Sequence, residues 1–519
     1  MSIEYGKELK ISETNIGGLY LLDLPVHGDA RGWFKENFQR AKMTVANLAS
    51  GSGEATANVL PDFKIVQNNI SFNAQRGVTR GIHAEPWDKY ISVATGKIFG
   101  AWVDLRADSN TYGEVFTAEI TPDKAIFVPR GVGNSFQALE DNTAYTYLVN
   151  DHWSAEHQSK YVFLNLADKS LGIQWPISLD SPEAIISEKD SVAPMLEDIS
   201  PMLPKSTLVI GASGQLGQAV RDFVNRNSVQ NGGSLHPETF IYADVNPGDD
   251  TIEFNALDEK AYAELGLSSI GRIINCAAYT NVDEAQTIVG RRLSWGLNAS
   301  LPALLAKLSS EYDIELVHIS SDYVFDGQLC HHPSGVPCNE RCQYVEDSDY
   351  APLGVYGQSK AAGDIAVSNT PKHYIIRVSW LIGGGNNFVK TMYNLAQKGV
   401  EPKVVSDQYG RLTFVDTVVE GIFHLFDSSS PYGAYNLTNL GGKSNWASLA
   451  KRIFELAGKS ADSVTPVTTE AYFEGSTKII APRPENSMLS LHKICNTGFT
   501  PERWEDKLEA YVQDLKEAK

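Results

Sequence analysis

A glycine-rich turn in the middle of the chain most constrains how these 519 residues fold. An apolar run at 207–210 leads into Gly211, Gly214 and Gly217, and a stretch typical of a helix follows. Strand, glycine turn and helix in this order open a dinucleotide-binding α/β domain, because glycines let the backbone approach a pyrophosphate at the helix N-terminus. About 200 residues precede the turn, enough for a further domain. The sequence therefore predicts two domains in series.

The charge of the chain limits its partners. With 44 basic and 63 acidic residues the net charge is -19, which argues against nucleic acid or an anionic membrane surface as a partner. No apolar run is long enough to span a bilayer, and the first residues lack the basic-then-apolar order of a signal peptide. We therefore expect a soluble cytoplasmic protein whose partner is a small molecule.

The chain has five cysteines, an odd and sparse number that indicates a reducing compartment. Cys330, Cys338 and Cys342 cluster with two histidines in a segment rich in Pro and Gly, which leaves a metal or redox site as an alternative. Because no Cys-x2-Cys spacing is present, a surface loop is the favoured interpretation, and we predict no metal site.

The pattern of apolar residues changes along the chain. From residue 18 to about 175, short β-rich runs such as 91–96 and 125–129 are bounded by Gly or Pro, which predicts an antiparallel barrel or sandwich. From residue 206 onward apolar strands alternate with amphipathic helices, which predicts a parallel sheet. We place an all-β domain at 1–195, a linker at 196–205 and an α/β domain at 206–519.

The glycine turn and the end of the next strand carry the predicted cofactor contacts. Ser213, Gln215 and Leu216 lie between or beside the three glycines, where backbone N–H groups meet a phosphate. Asp244 ends the next apolar strand, where a carboxylate can accept the hydroxyls of a ribose. A solvated acid at a strand end is the alternative for Asp244.

Two further strand ends and one helix predict carbonyl reduction. Tyr356 and Lys360 are four residues apart and share a helix face, so we expect the ammonium to lower the pKa of the phenol. Such a phenol can pass a proton to a developing alkoxide during hydride transfer. The Ser321 hydroxyl, at the end of the strand 316–319, can donate a hydrogen bond to the same oxygen.

These motifs resemble the extended short-chain dehydrogenase/reductase family and, within it, the dTDP-4-dehydrorhamnose reductases. Residues 275–283 read Asn-Cys-Ala-Ala-Tyr-Thr-Asn-Val-Asp, and residues 320–327 read Ser-Ser-Asp-Tyr-Val-Phe-Asp-Gly, with Ser321 where that family has Thr. The resemblance runs from about residue 205 to the end, and the segment 330–342 looks like an insertion. It implies a doubly wound Rossmann sheet with a small substrate subdomain, and NADPH or NADH as cofactor. The residues implied are, for the cofactor, Ala277, Ala278, Tyr279, Tyr356 and Lys360, and, for the substrate, Ser321, Asp322, Tyr323, Val324, Trp380, Asn387 and Arg483.

The first domain offers one histidine in a suggestive place, in the string Arg80-Gly-Ile-His83. A lone histidine is more often structural than catalytic, but other strings accompany it, at 29–36, 67–71 and 187–190. In this order they resemble the dTDP-4-dehydrorhamnose 3,5-epimerase family. That resemblance, over about residues 18–194, implies a cupin-type jelly roll and a homodimer.

The epimerase resemblance assigns roles by position. His83 matches the general base, Asp190 the carboxylate that orients it, Lys89 a lysine that stabilises an enolate, and Tyr147 the tyrosine that returns a proton on the opposite face. A carboxylate on one ring nitrogen raises the basicity of the other, so this pairing is chemically sensible. Positions matching substrate contacts are Arg31, Phe34, Glu36, Gln67, Asn69, Arg80 and Asn134.

Some positions depart from the epimerase pattern. Asn134 stands where that family has a histidine, Ala84-Glu85 follows the catalytic histidine in place of Phe-Gln, and Gly100 replaces a common acid. The departures bear on whether both C3 and C5 of the sugar are inverted. They leave His83, Asp190, Lys89 and Tyr147 in place.

Together the two resemblances imply a bifunctional enzyme of dTDP-L-rhamnose synthesis. The first domain would epimerise dTDP-4-dehydro-6-deoxy-D-glucose, and the second would reduce the 4-keto group with NADPH or NADH. One alternative is a reductase fused to a 5-epimerase or to another deoxysugar-nucleotide epimerase. Another is a non-catalytic regulatory protein that binds sugar nucleotides.

Overall fold

The chain divides into two compact units, residues 1–204 and 205–519. A computed structural model describes residues 3–49, 59–60, 63–153, 156–328 and 343–518. The predicted cysteine-containing loop at 330–342 lies outside the described residues. None of the described helices is long and apolar enough to cross a membrane.

The first unit is built from two antiparallel sheets, as the short β-rich runs predict. One has six strands in the order β1-β2-β10-β7-β12-β5, and the other has five in the order β13-β6-β11-β8-β9. A separate hairpin joins β3 to β4. The strands are β1 Lys10–Glu13, β2 Tyr20–Asp23, β3 Val26–Asp29, β4 Gly32–Lys35, β5 Gln67–Asn73, β6 Thr79–Ala84, β7 Lys89–Thr95, β8 Ile98–Asp104, β9 Val115–Ile120, β10 Lys124–Val128, β11 Val132–Ala138, β12 Thr143–Val149 and β13 Val162–Phe163.

The core of the first unit lies between the two sheets. Ile91 and Val93 of β7 face Trp102 of β8 and Phe136 of β11, and all four side chains are almost completely buried. Because side chains alternate along a strand, each sheet buries one face against the other. A short helix, α1 (Glu188–Ser191), lies beyond the strands.

The segment predicted as a linker packs on the first unit. The backbone N–H of Met202 donates to the carbonyl oxygen of Leu105 at 2.7 Å, and Ala107 N–H donates to Met202 O at 3.0 Å. Only 5% of Met202 is exposed. The two compact units divide at 204/205, at the end of the segment predicted as a linker.

The second unit is organised around a seven-stranded parallel sheet, as the alternation of strands and helices predicts. Its order is β16-β15-β14-β17-β18-β19-β24, which reverses direction between β14 and β17. The sheet strands are β14 Ser206–Ile210, β15 Phe240–Asp244, β16 Ile252–Glu253, β17 Ile270–Asn275, β18 Glu315–Ser321, β19 His373–Val378 and β24 Gly433–Asn436. The helices packed around the sheet are α2 Gln215–Arg226, α3 Glu259–Glu264, α4 Ile288–Trp295, α5 Leu301–Tyr312, α6 Val355–Val367 and α8 Val415–Asp427.

Both faces of this sheet are covered. On one face Val209 packs with α2 and α8, and on the other Leu208 and Ile210 pack with α3 and α5. Strands buried on both faces read as continuous apolar runs, which explains the pattern at 207–210. The carboxyl ends of β14 and β17 meet where the strand order reverses, the place where open α/β sheets bind ligands.

A smaller subdomain follows the sheet. Helices α7, α9 and α12 enclose their own apolar core, which includes Val389, Leu449 and Leu508. Its strands are short and form two-stranded pairs. The remaining elements are β20 Leu381–Ile382, α7 Phe388–Gln397, β21 Lys403–Val405, β22 Tyr409–Gly410, β23 Thr413–Phe414, β25 Ser444–Asn445, α9 Trp446–Leu456, β26 Thr465–Val467, α10 Thr469–Phe473, α11 His492–Cys495 and α12 Trp504–Glu517.

Candidate active sites

A cavity of about 430 Å³ opens in the first unit, and strands of both sheets line it. The strands β6 and β11 contribute from one sheet and β7 and β12 from the other. The antiparallel pairing places Asn134 of β11 directly opposite His83 of β6. The lining includes six of the predicted residues: Arg80, His83, Lys89, Asn134, Tyr147 and Asp190.

The imidazole of His83 and the carboxylate of Asp190 form a hydrogen-bonded pair. His83 Nε2 lies 2.7 Å from Asp190 Oδ1, and only 6% of Asp190 is exposed. The Ser187 hydroxyl oxygen accepts a hydrogen bond from the Asp190 backbone N–H at 3.1 Å, which caps α1 and orients this residue. Burial opposes ionisation of Asp190, but the hydrogen bond and charge of His83 hold its pKa below the ordinary value. The pair can therefore orient the imidazole as a base.

Tyr147 faces the same cavity from the other sheet. Burial and the nearby carboxylate of Glu85 raise its pKa to about 12, although Arg80 acts in the opposite direction. The phenol therefore stays protonated at neutral pH and can give a proton away. The ammonium of Lys89 lies 5.7 Å from the centre of the Tyr147 ring.

The side-chain oxygen of Asn134 accepts hydrogen bonds from two donors. The indole N–H of Trp102 donates to its Oδ1 at 2.8 Å, and the phenol of Tyr145 donates to the same atom at 3.2 Å. An amide side chain is not a base at neutral pH, whereas a neutral histidine can take up a proton. Asn134 therefore does not take the place of a histidine as a base in this cavity.

Five predicted substrate contacts lie elsewhere in the first unit. Arg31 and Phe34 belong to the β3–β4 hairpin and Glu36 follows it; all three are exposed, and none is among the described residues that line the cavity. Gln67 and Asn69 share a face of β5 with Ser71, which does line the cavity. The side-chain amide of Gln67 donates to Asn69 Oδ1 at 2.7 Å.

In the second unit the glycine turn approaches other backbone closely. Gly211 has φ +78°, and a Cβ there would lie 2.6 Å from the backbone nitrogen of Ala277. A Cβ on Gly217 would lie 2.5 Å from the Cα of Ala212. Any side chain at these positions would collide with backbone, so the turn requires glycine. The turn leads into α2, whose first residues include Gln215 and Leu216.

Asp244 lies beside the glycine turn. Its carboxylate accepts hydrogen bonds from the backbone N–H of Ser213 and of Asn246, both at 3.0 Å. The side chain is thus held at the carboxyl end of β15, next to the start of α2. Of the predicted contacts at the end of β17, Ala277 N–H donates to Asn275 Oδ1 at 3.2 Å, and Tyr279 N–H donates to Asn298 Oδ1 at 2.9 Å.

Tyr356 and Lys360 lie on α6 as predicted, but their electrostatics differ from the prediction. Burial, together with the nearby carboxylates of Asp322 and Asp364, raises the pKa of Tyr356 to about 12 despite a hydrogen bond with Ser321. The expected lowering by Lys360 is wrong for this structure, because burial outweighs any effect of the ammonium. The ammonium of Lys360 donates to the carbonyl oxygen of Ile319. Burial lowers the pKa of Lys360 to about 8, although Asp364 acts against this.

Ser321 ends β18 next to Tyr356. Its hydroxyl donates to Asp322 Oδ1 at 3.0 Å, and burial raises the pKa of Asp322 to about 6. The rings of Tyr323 and Tyr356 meet edge to face, 5.4 Å apart. The side chain of Val324 is fully buried in a small apolar cluster. Ser321, Tyr323 and Tyr356 thus surround one point at the carboxyl edge of the sheet.

A buried polar cluster behind Lys360 was not predicted as part of the site. Arg377 Nε donates to Asp364 Oδ2 at 3.1 Å, and His318 Nε2 lies 3.8 Å from Asp364 Oδ1. All three side chains are at most 2% exposed. The available signal in the sequence was a histidine between apolar residues of β18 and an arginine between apolar residues of β19.

The predicted substrate residues of the subdomain divide into two groups. Arg483 lines a cavity of about 380 Å³ and holds Asp283 through two hydrogen bonds of 2.8 Å. Trp380 stacks on Trp446, which lines the same cavity, with ring centres 3.8 Å apart. Asn387 instead caps α7, where its Oδ1 accepts from the backbone N–H of Lys390 at 3.0 Å.

Comparison with known proteins matches a family model to each unit. Residues 13–198 match the family model for dTDP-4-dehydrorhamnose 3,5-epimerase, and residues 205–517 match the model described as the RmlD substrate binding domain. The chain belongs to both families. The two resemblances seen in the sequence are therefore confirmed, and we call residues 1–204 the epimerase unit and 205–519 the reductase unit.

Individual relatives cover each unit. The RmlC homolog of Streptococcus pyogenes is 50% identical over 37% of this chain and 90% of its own length. A dTDP-4-dehydrorhamnose reductase of Aggregatibacter actinomycetemcomitans is 31% identical over 58% of this chain and 96% of its own length. The crystal structure of the Clostridium acetobutylicum dTDP-4-dehydrorhamnose reductase matches 60% of this chain and 99% of its own, with 31% identity and a TM-score of 0.51.

Proposed function

We propose that the chain catalyses two successive reactions of dTDP-L-rhamnose synthesis. The epimerase unit inverts C3 and C5 of dTDP-4-dehydro-6-deoxy-D-glucose, and the reductase unit then converts the 4-keto group to an alcohol with NADPH or NADH. The observation that carries the first step is the 2.7 Å pair of His83 and Asp190 in a cavity that also holds Lys89 and Tyr147.

In the epimerase unit three residues take part in removing one proton and returning another. His83 takes the proton from the carbon beside the 4-keto group, and the electron pair moves onto the keto oxygen to form an enolate. The ammonium of Lys89 stabilises the negative oxygen. Tyr147 gives its proton to the opposite face of the carbon. Exchange with water then reprotonates Tyr147 and deprotonates His83, so the step changes configuration without net loss of atoms.

In the reductase unit the glycine turn fits a dinucleotide, since Gly211 and Gly217 let the backbone pack closely and the turn leads directly into the N-terminus of α2. Gly214, Ser213, Asp244, Ala277 and Tyr279 would hold it. When bound, NADPH or NADH supplies a hydride. Tyr356 would give its proton to the keto oxygen and regain one from water. The Ser321 hydroxyl would turn from Asp322 to donate a hydrogen bond to that oxygen, and Lys360 would provide positive charge nearby. Arg483 and the cavity it lines would hold the sugar nucleotide.

The epimerase unit would be a cupin-type jelly roll that forms a homodimer, and the enzyme would act in the cytoplasm. Phe34 on the hairpin is 64% exposed, and Ile70 and Phe72 on the edge strand β5 are 70% and 59% exposed. Exposed apolar side chains at a sheet edge favour pairing with a second copy. In such a dimer the hairpin residues Arg31 and Phe34 could reach the partner's cavity, which would reconcile them with their predicted role.

The product of the full-length protein tests this proposal. The 4-keto sugar nucleotide is incubated in D₂O with the enzyme, first alone and then with NADPH, and the sugar is analysed by NMR. We expect deuterium at both C3 and C5 without cofactor, and dTDP-L-rhamnose when NADPH is present. Deuterium at C5 alone would instead favour the 5-epimerase alternative, and neither deuterium nor reduction would favour a binding protein.

A further inference from the structure

Glu85 joins the two sheets at the wall of the epimerase cavity. It follows β6 in the five-stranded sheet, while Lys89 begins β7 in the six-stranded sheet. Glu85 Oε1 lies 2.7 Å from Lys89 Nζ, and their side chains are only 12% and 6% exposed. Both charges are largely removed from water. Each charge therefore depends on its partner for stabilisation more than the charges of a surface pair do.

This ion pair limits where the ammonium of Lys89 can lie. A lysine has four rotatable side-chain bonds, so an unpaired ammonium would sample several positions in the cavity. With the contact to Glu85, Lys89 Nζ is kept 5.7 Å from the centre of the Tyr147 ring. Small displacements of a catalytic group have large effects on rate.

The carboxylate of Glu85 also adds a negative charge beside the Tyr147 phenol. The other charged or titratable groups that line this part of the cavity are Arg80 and His83 on β6, Asp190 on α1, Lys89 on β7 and Tyr145 on β12, and Tyr161 interacts with Tyr147 as well. Arg80 favours the phenolate of Tyr147, whereas Glu85 disfavours it. A negative neighbour therefore keeps the phenol in the form that can give a proton.

We propose that Glu85 is a positioning residue of the epimerase unit, which fixes the ammonium of Lys89 and keeps Tyr147 in its proton-donating form. The inference rests on the proposed epimerisation. It assigns to Glu85 a role that is exerted through Lys89 and Tyr147.

The test is the variant Glu85→Gln in the full-length protein, which removes the charge and keeps the shape. We expect the kcat of deuterium incorporation to fall about tenfold while KM changes less than twofold, since positioning acts on the chemical step. We also expect the alkaline limb of the kcat–pH profile to move to lower pH. Glu85→Asp keeps the charge, so its alkaline limb should stay at the position of the unsubstituted enzyme.

Glu119→Gln is the matched control. Glu119 pairs with Lys97 at 3.0 Å on the surface of the same unit, with side chains 54% and 29% exposed. Its loss should change neither kcat nor the pH profile. A folded Glu85→Gln protein with unchanged kcat and alkaline limb would overturn the inference, as would failure of both Glu85→Gln and Glu85→Ala to fold. No deuterium incorporation by the unsubstituted enzyme would instead overturn the proposed function, and this inference with it.

Discussion

The carboxylate of Asp190 and the imidazole of His83 lie 2.7 Å apart, whereas Tyr356 and Lys360 have no such direct bond to one another among the described contacts. In the first pair we expect the carboxylate to raise the basicity of the ring that takes the proton. In the reductase unit the phenol and the ammonium each bond to the end of β18 instead, through Ser321 and Ile319. The first arrangement places the imidazole at the wall of a cavity, and the second places the phenol at the carboxyl edge of the sheet.

The phenol of Tyr356 is the only group we assign to proton donation in the reductase unit. Tyr356→Phe should therefore lower the rate of ketone reduction by about 10²-fold or more, because a positioned general acid contributes on that scale. Deuterium incorporation by the epimerase unit should remain unchanged. NADPH consumption with pre-epimerised ketone measures the first effect. Tyr312→Phe, at the exposed end of α5, is the control and should behave like the unsubstituted enzyme.

The charge of Lys360 predicts how reduction depends on pH. Burial lowers its pKa to about 8, so its ammonium is present below that pH and is lost as the pH rises through it. Since the positive charge supports the developing alkoxide, we expect kcat for reduction to decline above about pH 8. A stopped-flow or steady-state kcat–pH profile checks this. A profile flat to pH 10 would show that the ammonium is not needed or stays protonated.

Among the elements of the reductase unit, helix α6 carries the phenol and the ammonium that we propose for the chemistry. Tyr356, Lys360 and Asp364 follow one another at intervals of four residues, which places them on one face of the helix. That face meets the carboxyl half of β18 and β19, where Asp364 pairs with Arg377. The helix is therefore anchored by a buried charge pair one turn beyond its catalytic lysine.

Asp364→Asn tests this anchor. The substitution leaves the Arg377 guanidinium buried without its charge partner, so we expect the free energy of unfolding to fall by about 3–5 kcal/mol. Urea unfolding of the full chain, followed at a signal of the reductase unit, measures the change. Glu509→Gln, which removes a surface partner of Arg452, should cost less than about 1 kcal/mol. Equal effects of the two variants would contradict the proposed anchor.

The sequence could predict those parts of each site whose residues are neighbours within one helix, strand or turn. The turn around Gly211 and the spacing of Tyr356 and Lys360 are local, so their placement followed from strand and helix geometry. The Asp364 cluster, in contrast, draws on residues of β18, α6 and β19 that are far apart in the sequence. Contacts of this kind depend on tertiary packing, and no spacing rule encodes them.

The spacing of residues in the sequence also could not predict the direction of a pKa shift. The four-residue interval correctly put Lys360 near Tyr356, but the sign of the shift depended on burial and on Asp322 and Asp364. Likewise, motif order assigned Arg31, Phe34 and Glu36 to substrate binding, while their exposure on the hairpin region leaves that role as a prediction.

At the scale of the whole molecule, each unit encloses its own apolar core and its own candidate site. Two steps that act on one sugar nucleotide gain from a shared chain, because a tether raises the effective concentration of the second site for the product of the first. The chemistry of each step nevertheless uses only residues of its own unit. We therefore expect the two sites to act independently.

Mixing two single-site variants tests that claim most directly. His83→Ala removes the base of the epimerase unit, and Tyr356→Phe removes the acid of the reductase unit. Each variant alone should make less than about 1% of the dTDP-L-rhamnose made by the unsubstituted enzyme, given the loss of about 10² or more expected for each group. Combined in equal amounts with the 4-keto sugar nucleotide and NADPH, the folded variants should restore product formation. A mixture as inactive as either variant alone would contradict the account.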